Sequence, residues 1–146
     1  MEDRYLYKAK TTPKEKGEFN NVWVTGNLIV SNGKYYIHPI NNVVNVENEI
    51  GRIIVMHEVI PDTICRCTGL KDKNEKLIWE NDIVKYGNGN FYKAFWRDNY
   101  YQFSWVCVKS DIFQIGAKWD LWRFKSSEIE VVGNIFDNPE LLESEG

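Results

Sequence analysis

The stretch that decides the fold runs from Thr68 to Tyr86 and reads TGLKDKNEKLIWENDIVKY. Short apolar runs lie on either side of charged turn residues, and a Glu-Asn-Asp corner at residues 80–82 leads directly into Ile83-Val84. This layout is typical of two β-hairpin corners in a small barrel. The stretch contains no nucleophile motif, phosphate-binding loop or metal-ligand cluster, so it predicts a fold and not a reaction.

Short strands are predicted along most of the remaining chain, because β-branched and aromatic runs alternate with polar turns. We therefore expect an all-β fold. The predicted strands cover Arg4–Lys10, Val22–Val30, Lys34–Ile37, Arg52–Val59, Thr63–Leu70, Lys76–Glu80, Ile83–Tyr86, Asn90–Arg97, Tyr101–Lys109, Trp119–Lys125 and Ile129–Asn134. Residues 41–50 are irregular or form a short strand, and a helix over 48–60 is the less favoured alternative to a strand there.

Two short sequence patterns each predict a particular turn. Asn32-Gly33 joins two β-branched and aromatic flanks, and supplies the positive φ angles that a type I′ hairpin turn requires. Near the C-terminal end, Asn138-Pro139-Glu140 has an N-cap residue, a proline at the first helical position and an acid in the first turn. We expect one or two helical turns there, packed through Leu141 or Leu142.

Composition limits the classes of function. The chain has 146 residues, a net charge of −3, 43% hydrophobic and 14% aromatic residues, a pI near 5.5 and a mean hydropathy of −0.46. No apolar run approaches the roughly 18 residues of a membrane span. The acidic start, Met1 to Arg4, shows no signal-peptide pattern. We expect a cytoplasmic protein that does not enter a membrane, and the acidic balance argues against general binding of nucleic acid.

The charge is nevertheless uneven. Between Arg66 and Arg97, seven basic residues stand against four acids, whereas the chain from Glu128 onwards is acidic and holds no basic residue. An anionic partner could therefore bind the middle of the chain. The alternative is that these lysines line turns that face solvent.

Neither a metal site nor a catalytic site is predicted. Cys65, Cys67 and Cys107 are odd in number, and the first two are too close together for a pair of zinc ligands, so we expect buried thiols. His38 and His57 have no catalytic motif around them. Asp72, Glu80 and Asp82 could pair for acid–base chemistry, but all three fall at predicted turns, where acids commonly bond the backbone. We expect no cofactor.

Aromatic residues are the better indication of function. Twelve lie between Phe91 and Phe124, more than the inner face of a small barrel can hold. Trp119 and Trp122 differ in parity along their predicted strand, as do the pairs Phe95–Trp96 and Tyr100–Tyr101. Some rings should therefore lie outside and form a contact surface, unless the N-terminal part of the chain covers them. The candidate contact residues are Trp96, Tyr100, Trp119, Trp122, Lys71, Lys73, Lys76, Lys93 and Arg97.

The chain closely resembles the YopX family of phage and prophage proteins. The family's TGLKDKNG-K-I-(aromatic)-EGDIV block is matched from Thr68 to Val84, and its VIGNI-(aromatic)-(E/D)NPELL ending is matched from Val131 to Leu142. Further matches lie at residues 23–29, 35–37 and 60–64. Glu75 and Asn81 stand where the family has glycines, and asparagine tolerates the left-handed backbone conformation better than glutamate does.

The resemblance implies a phage-encoded protein with two β subdomains, the second similar to an SH3-like barrel, and it implies no catalytic residue. We therefore predict a small β subdomain over residues 1–62 and an SH3-like barrel subdomain with a tail over 63–146, the barrel running from about Thr63 to Asn134. The predicted function is a non-enzymatic accessory module in the bacterial host cytoplasm that binds itself, with a phage or host protein as a further expected partner. The alternative is a single-stranded nucleic-acid-binding protein that uses the basic, aromatic-rich barrel.

Overall fold

The computed structural model describes residues 5–13, 21–39, 46–48, 51–53 and 56–142. Within these residues the regular elements are thirteen β-strands and short 3₁₀ turns, so the predicted all-β class is confirmed. Contacts divide the chain into two compact units, Met1–Arg66 and Cys67–Gly146. The predicted limits of 1–62 and 63–146 stay a prediction, because compactness alone does not show that either part folds independently.

The first unit is built from antiparallel strands. Its strands are β1 (Tyr7–Lys10), β2 (Trp23–Ser31), β3 (Lys34–Pro39), β4 (Val46–Asn48), β5 (Gly51–Ile53) and β6 (His57–Glu58), and β7 (Cys65–Lys71) begins in it. The order β6-β3-β2-β1 forms one sheet, and the first residues of β7 pair with β1, whereas β4 pairs with β5 in a separate two-stranded sheet. The predicted Arg52–Val59 run is therefore two short strands, with residues 54 and 55 outside the described ranges.

The β2–β3 hairpin is the one that the sequence predicted. Asn32 and Gly33 have φ angles of 52° and 74°, and Ser31 pairs with Lys34 across the turn. Both left-handed angles belong to a type I′ turn, whose twist matches that of the flanking strands. Ala9, Ile37 and Val59 are buried together beneath this sheet and form the small core of the first unit.

The second unit carries a five-stranded antiparallel sheet. Its strands are β9 (Asp82–Lys85), β10 (Phe91–Arg97), β11 (Gln102–Lys109), β12 (Lys118–Asp120) and β13 (Glu130–Asn134), in the order β12-β11-β10-β9-β13. A further strand, β8 (Leu77–Trp79), pairs with β7. Among the described residues β12 and β13 do not pair, so the sheet stays open and the predicted closed SH3-like barrel is not confirmed.

Aromatic side chains fill the core of this unit. Trp105 is fully buried on β11 and stacks on Phe124, with ring centroids 5.3 Å apart. Phe124 in turn stacks on Tyr86 at 4.1 Å. Tyr92, Cys107 and the aliphatic side chains of Ile78, Val84 and Ile129 complete the cluster. All three cysteines are buried, as expected.

One predicted strand and one predicted helix cap differ from the structure. The predicted strand Trp119–Lys125 is wrong beyond Asp120, because residues 121–123 form a 3₁₀ turn. The helical turn near the C-terminal end is a single 3₁₀ turn, Pro139–Leu141. Asn138 precedes that turn, but its side chain does not cap it: Oδ1 accepts a hydrogen bond from the backbone N–H of Asn134.

The turn residues of the deciding stretch fix its geometry. Asp72 Oδ1 accepts hydrogen bonds from the backbone N–H groups of Asn74 and Lys76, each at 2.9 Å. Asp82 Oδ2 accepts one from the N–H of Trp79 at 2.8 Å. Glu75 and Asn81 both adopt left-handed conformations, with φ angles of 62° and 73°. The glutamate therefore adopts a left-handed conformation that glycine would tolerate without steric cost.

Candidate functional site

The end of the β10–β11 hairpin presents two exposed tyrosines. Residues Asp98–Tyr100 form a 3₁₀ turn, and Tyr101 follows in a left-handed conformation with φ 51°. This geometry turns both rings away from the core, so that Tyr100 is 59% exposed and Tyr101 84% exposed. The predicted difference in parity does not hold for this pair, because neither residue belongs to a regular strand.

Three of the predicted contact residues meet at this hairpin end. Trp96, Arg97 and Tyr100 line a shallow pocket of about 460 Å³, which we call the hairpin-end pocket; its other lining residues are Phe95, Asp98, Asn99 and Lys118. The Arg97 guanidinium carbon lies 3.9 Å from the centroid of the Tyr100 ring, within the range of a cation–π interaction. The pocket therefore combines aromatic faces with fixed positive charge.

Lys118 is a member of this pocket that the sequence analysis missed. It lies on β12, opposite Val106 of β11, and that pairing brings it to the hairpin that carries Arg97. Lys93 lies on the same face of β10 as Arg97 by strand alternation, and it is half-buried. No signal near Lys118 in the sequence indicates which strand will pair beside it.

A second, more apolar surface surrounds Trp122. The 3₁₀ turn of residues 121–123 leaves the Trp122 ring 74% exposed. This ring borders an open groove of about 420 Å³, the Trp122 groove, whose other lining residues are Leu70, Gln102, Phe103, Leu121, Phe124 and Ser126. Trp122 therefore faces outward as expected, but because of a turn and not because of its parity on a strand.

One ring contact connects the two surfaces. Trp96, which lines the hairpin-end pocket, and Phe103, which lines the Trp122 groove, meet edge to face with centroids 5.1 Å apart. They are cross-strand neighbours on β10 and β11. The hairpin-end pocket and the Trp122 groove thus lie beside each other on the second unit.

Trp119 turns inward, unlike Trp122. Its ring meets Tyr92 and Phe113 edge to face, with centroids 5.3 Å and 5.2 Å away. These rings border a cavity of about 290 Å³, the aromatic cavity, whose remaining lining residues are Tyr86, Gly87, Asn90, Arg123 and Phe124. Desolvation by burial, followed by the proximity of Cys107 and Tyr86, raises the pKa of Tyr92 to about 12, so this wall of the cavity is uncharged at neutral pH.

The predicted lysines of the β7–β8 turn do not join these surfaces. Lys71, Lys73 and Lys76 are exposed around Asp72, and none of them lines the hairpin-end pocket, the Trp122 groove or the aromatic cavity. Lys73 Nζ lies 3.1 Å from Glu130 Oε2, with both side chains more than two-fifths exposed. An ion pair in such exposure contributes little.

The candidate acid–base residues have structural partners. Both oxygens of Asp72 accept backbone hydrogen bonds, and Asp82 bonds Trp79. Burial alone would raise the pKa of Asp72, but the hydrogen bonds from the N–H groups of Val131, Lys76 and Asn74 outweigh it and lower the pKa below its usual value. Asp72 is therefore a charged anchor for turns and not a proton donor at neutral pH.

No group of three or more His, Cys, Asp or Glu side chains in the part of the chain that the structure describes is arranged to hold a metal ion. No helix among these residues is both long and apolar enough to cross a membrane.

One family of known proteins matches this chain. A protein-family model described as YopX protein matches residues 3–143, nearly the whole chain. No curated protein matches the sequence.

Proposed function

The chain belongs to the YopX family, and from that premise we propose that it is a non-enzymatic binding or scaffold module, encoded by a phage or prophage, that assembles with itself. The observation that carries the proposal is the Trp122 groove. A large ring that is 74% exposed stands at the border of an apolar depression. Exposed apolar surface of this kind usually marks a site of contact with another protein.

A second copy of the chain is the occupant that best fits this groove. In a two-fold interface the same patch faces itself, so the patch must supply both the projecting group and the surface that receives it. Trp122 supplies the projecting ring, and Leu70, Phe103 and Leu121 supply an apolar surface beside it. Tryptophan is also among the residues enriched at the energetic centres of interfaces.

The setting that we propose is the cytoplasm of the bacterial host. Three buried cysteines that form no disulfide suit a reducing compartment. We also propose that the second unit is related to SH3-like barrels. After the β9–β12 meander the chain returns, and its last strand, β13, pairs with β9. This order supports the relation, and pairing of the two edge strands β12 and β13 is the step that would close such a sheet into a barrel.

The assembly proposal is tested by the mass of the protein in solution. Size-exclusion chromatography with light scattering, at tens of micromolar protein, should give a multiple of the 17.2 kDa chain mass. Because the groove is apolar, the mass should change little between low and high salt. A species of 17.2 kDa across this range would overturn self-assembly.

The hairpin-end pocket favours a second candidate function, which is binding of single-stranded nucleic acid. Arg97 and Lys118 offer positive charge, while Trp96 and Tyr100 offer rings on which bases can stack. Proteins that bind single strands without sequence preference combine these two features. Fluorescence anisotropy with labelled single-stranded DNA and RNA should show binding that weakens steeply with salt, and no complex at tens of micromolar protein in low salt would remove this candidate.

A further inference from the structure

We propose that the aromatic cavity is a binding site for one planar heteroaromatic ring that carries carbonyl acceptors, the chemistry of a pyrimidine base. This site is separate from the Trp122 groove and from the hairpin-end pocket. The proposal goes beyond the function proposed above and does not depend on it. Three features carry it: a buried amide with unused donors, walls made of aromatic rings, and one cation among the lining residues.

The amide belongs to Asn90, which is 93% buried and lines the cavity. Its Oδ1 accepts a hydrogen bond from Ser110 Oγ at 2.6 Å, so the orientation of the amide group is fixed. No group in the described ranges accepts a hydrogen bond from Nδ2. A Cβ added to Gly87, another lining residue, would lie 3.4 Å from Nδ2, which places the donors beside the cavity. Nδ2 is not one of the fully buried side-chain atoms that lack a partner, so a molecule in the cavity can reach its two N–H donors, and a ring carbonyl provides an acceptor for them.

The rings around the amide enclose a space that they do not fill. Tyr92 and Phe113 both meet Trp119 edge to face, and Tyr92 also meets Phe124 edge to face at 4.7 Å. The remaining two lining rings, Tyr86 and Phe124, stack on each other with centroids 4.1 Å apart. A planar ligand can lie against such walls, as unstacked bases do on aromatic side chains.

Size and charge narrow the ligand class. A volume of about 290 Å³ lies just below the range of about 300–1,000 Å³ that is usual for ligand pockets, so a single ring with its sugar fits better than a longer molecule. Arg123 is the charged side chain among the described lining residues. Its guanidinium carbon lies 5.0 Å from the centroid of the Trp122 ring, and the Glu128 carboxylate accepts a hydrogen bond from the hydroxyl of the lining residue Tyr86. An anionic substituent such as a phosphate would therefore bind on the Arg123 side of the cavity.

The same hydroxyl that fixes the amide also fixes one wall. Ser110 Oγ donates to Asn90 and accepts hydrogen bonds from the backbone N–H groups of Ile112 and Phe113, at 3.0 Å and 2.9 Å. Ser110 therefore couples the donor to the loop that carries the Phe113 ring. A cavity held open in this way before a ligand arrives loses less free energy on ordering when it binds.

Titration of the full-length chain with uridine and with uridine 5′-monophosphate tests the proposal. Isothermal titration calorimetry should show saturable binding of both compounds, with the monophosphate bound several-fold more tightly. Titration with an oligothymidylate shows whether the natural ligand is a free nucleotide or a base within a strand. Equal affinities for the oligomer and the monophosphate indicate a free nucleotide, and an affinity for the oligomer at least tenfold higher indicates a base within a strand. Absence of binding at millimolar uridine, monophosphate and oligomer would overturn the proposal.

Two variants locate the site. Asn90→Asp keeps an oxygen that can accept the hydrogen bond from Ser110 but removes both N–H donors. It should therefore lower the affinity for uridine and for its monophosphate at least tenfold. Arg123→Gln changes an exposed residue and should lower the affinity for the monophosphate several-fold without changing that for uridine. This comparison still tests the site if Asn90→Asp fails to fold. Lys34→Gln changes an exposed lysine of the β2–β3 turn and is the control, which should leave both affinities unchanged. Wild-type affinity in folded Asn90→Asp, or an unchanged preference for the monophosphate in Arg123→Gln, contradicts the site.

Two further variants separate the cavity proposal from the proposals of self-assembly and nucleic-acid binding. Trp122→Ser removes the ring that borders the groove, and Arg97→Gln removes the cation of the hairpin-end pocket. Neither residue lines the aromatic cavity. Both variants should therefore bind uridine as the wild type does, and a tenfold loss in either would place the ligand elsewhere. The monophosphate is compared only for Arg97→Gln, because the Arg123 guanidinium carbon lies 5.0 Å from the centroid of the Trp122 ring and Trp122→Ser can therefore displace it.

Discussion

Asp72 Oδ2 accepts a hydrogen bond of 2.9 Å from the backbone N–H of Val131, 59 residues further along the chain. The other carboxylate oxygen holds the turn between β7 and β8 through Asn74 and Lys76. A neighbouring backbone bond, from the N–H of Lys73 to the carbonyl of Ile129, runs between the same two segments at 2.8 Å. One buried carboxylate thus fixes a tight turn and attaches the last strand to it.

Asp72→Asn should destabilise the protein at neutral pH. The amide keeps an acceptor for the turn but presents a donor to the Val131 N–H, and an unsatisfied buried donor costs about 2–3 kcal/mol. Urea denaturation at pH 7 measures this loss, and Asp111→Asn, at an exposed position, is the matched control. A free energy of unfolding equal to that of the wild type would show that the Val131 bond contributes nothing.

The same carboxylate should make stability depend on pH. Its pKa is lowered in the folded state, so the folded protein binds this proton less readily than the unfolded chain does. The stabilisation is therefore complete above the unfolded pKa of about 3.9 and is lost as the pH falls through the folded pKa. Below about pH 5, the stability of the wild type should decline more steeply than that of Asp72→Asn. Parallel curves for the two proteins would contradict this assignment.

Glu75→Gly should stabilise the protein. Glu75 has φ 62°, and a left-handed conformation costs a residue with a Cβ about 1–2 kcal/mol, part of which the greater chain entropy of glycine offsets. We expect a net gain of about 1 kcal/mol. Glu75→Ala removes the same exposed carboxylate but keeps the Cβ, so it should show no gain. Equal stability of the two variants would mean that charge, and not backbone conformation, governs this position.

Gly26→Ala should disrupt the β2–β3 hairpin. Gly26 is buried and pairs with Pro39, and a Cβ built on it would overlap the backbone carbonyl of His38. Backbone cannot move aside as a flexible side chain can, so we expect a loss of about 2–3 kcal/mol. Thr25→Ala, at the exposed neighbouring position, should stay within about 0.5 kcal/mol of the wild type. Thermal or urea unfolding followed by circular dichroism distinguishes the two variants.

Trp122→Ser should reduce the assembly to a monomer. The substitution removes a ring that is 74% exposed and therefore contributes little to the fold of a single chain. Ile112→Ser removes an apolar side chain that is 75% exposed but does not line the Trp122 groove, so it should keep the mass of the wild type. Light scattering measures the mass of each variant in solution. Loss of assembly in both variants would indicate general surface hydrophobicity instead of a specific groove.

Arg97→Gln should weaken any binding of single-stranded nucleic acid and make it less sensitive to salt. Each phosphate contact on a single strand contributes about 0.7 to the slope of log affinity against log salt concentration, so the slope should fall by about 0.7. Lys34→Gln removes one exposed charge in the β2–β3 turn and should leave the slope unchanged. An equal effect of both substitutions would mean that net charge alone drives the binding.

Local chemistry made much of the fold predictable. The Asn32-Gly33 turn and the roles of Asp72 and Asp82 at corners depend on residues that are neighbours in the chain. Turn conformations and a two-residue strand period are set by those neighbours. Strand ends were less predictable, because β12 stops at Asp120 where a 3₁₀ turn begins.

The positions of the candidate-site residues could not be predicted from local sequence patterns alone. The sequence by itself determined an all-β chain rich in rings, with Trp96, Arg97 and Tyr100 close together because they are close in the chain. Only the tertiary structure turned Trp119 inward and Trp122 outward, brought Lys118 beside Arg97, and fixed the Asn90 amide against Ser110. The physical reason is that a side chain's surroundings are set by the strand that pairs beside its own, and that pairing joins residues far apart in sequence.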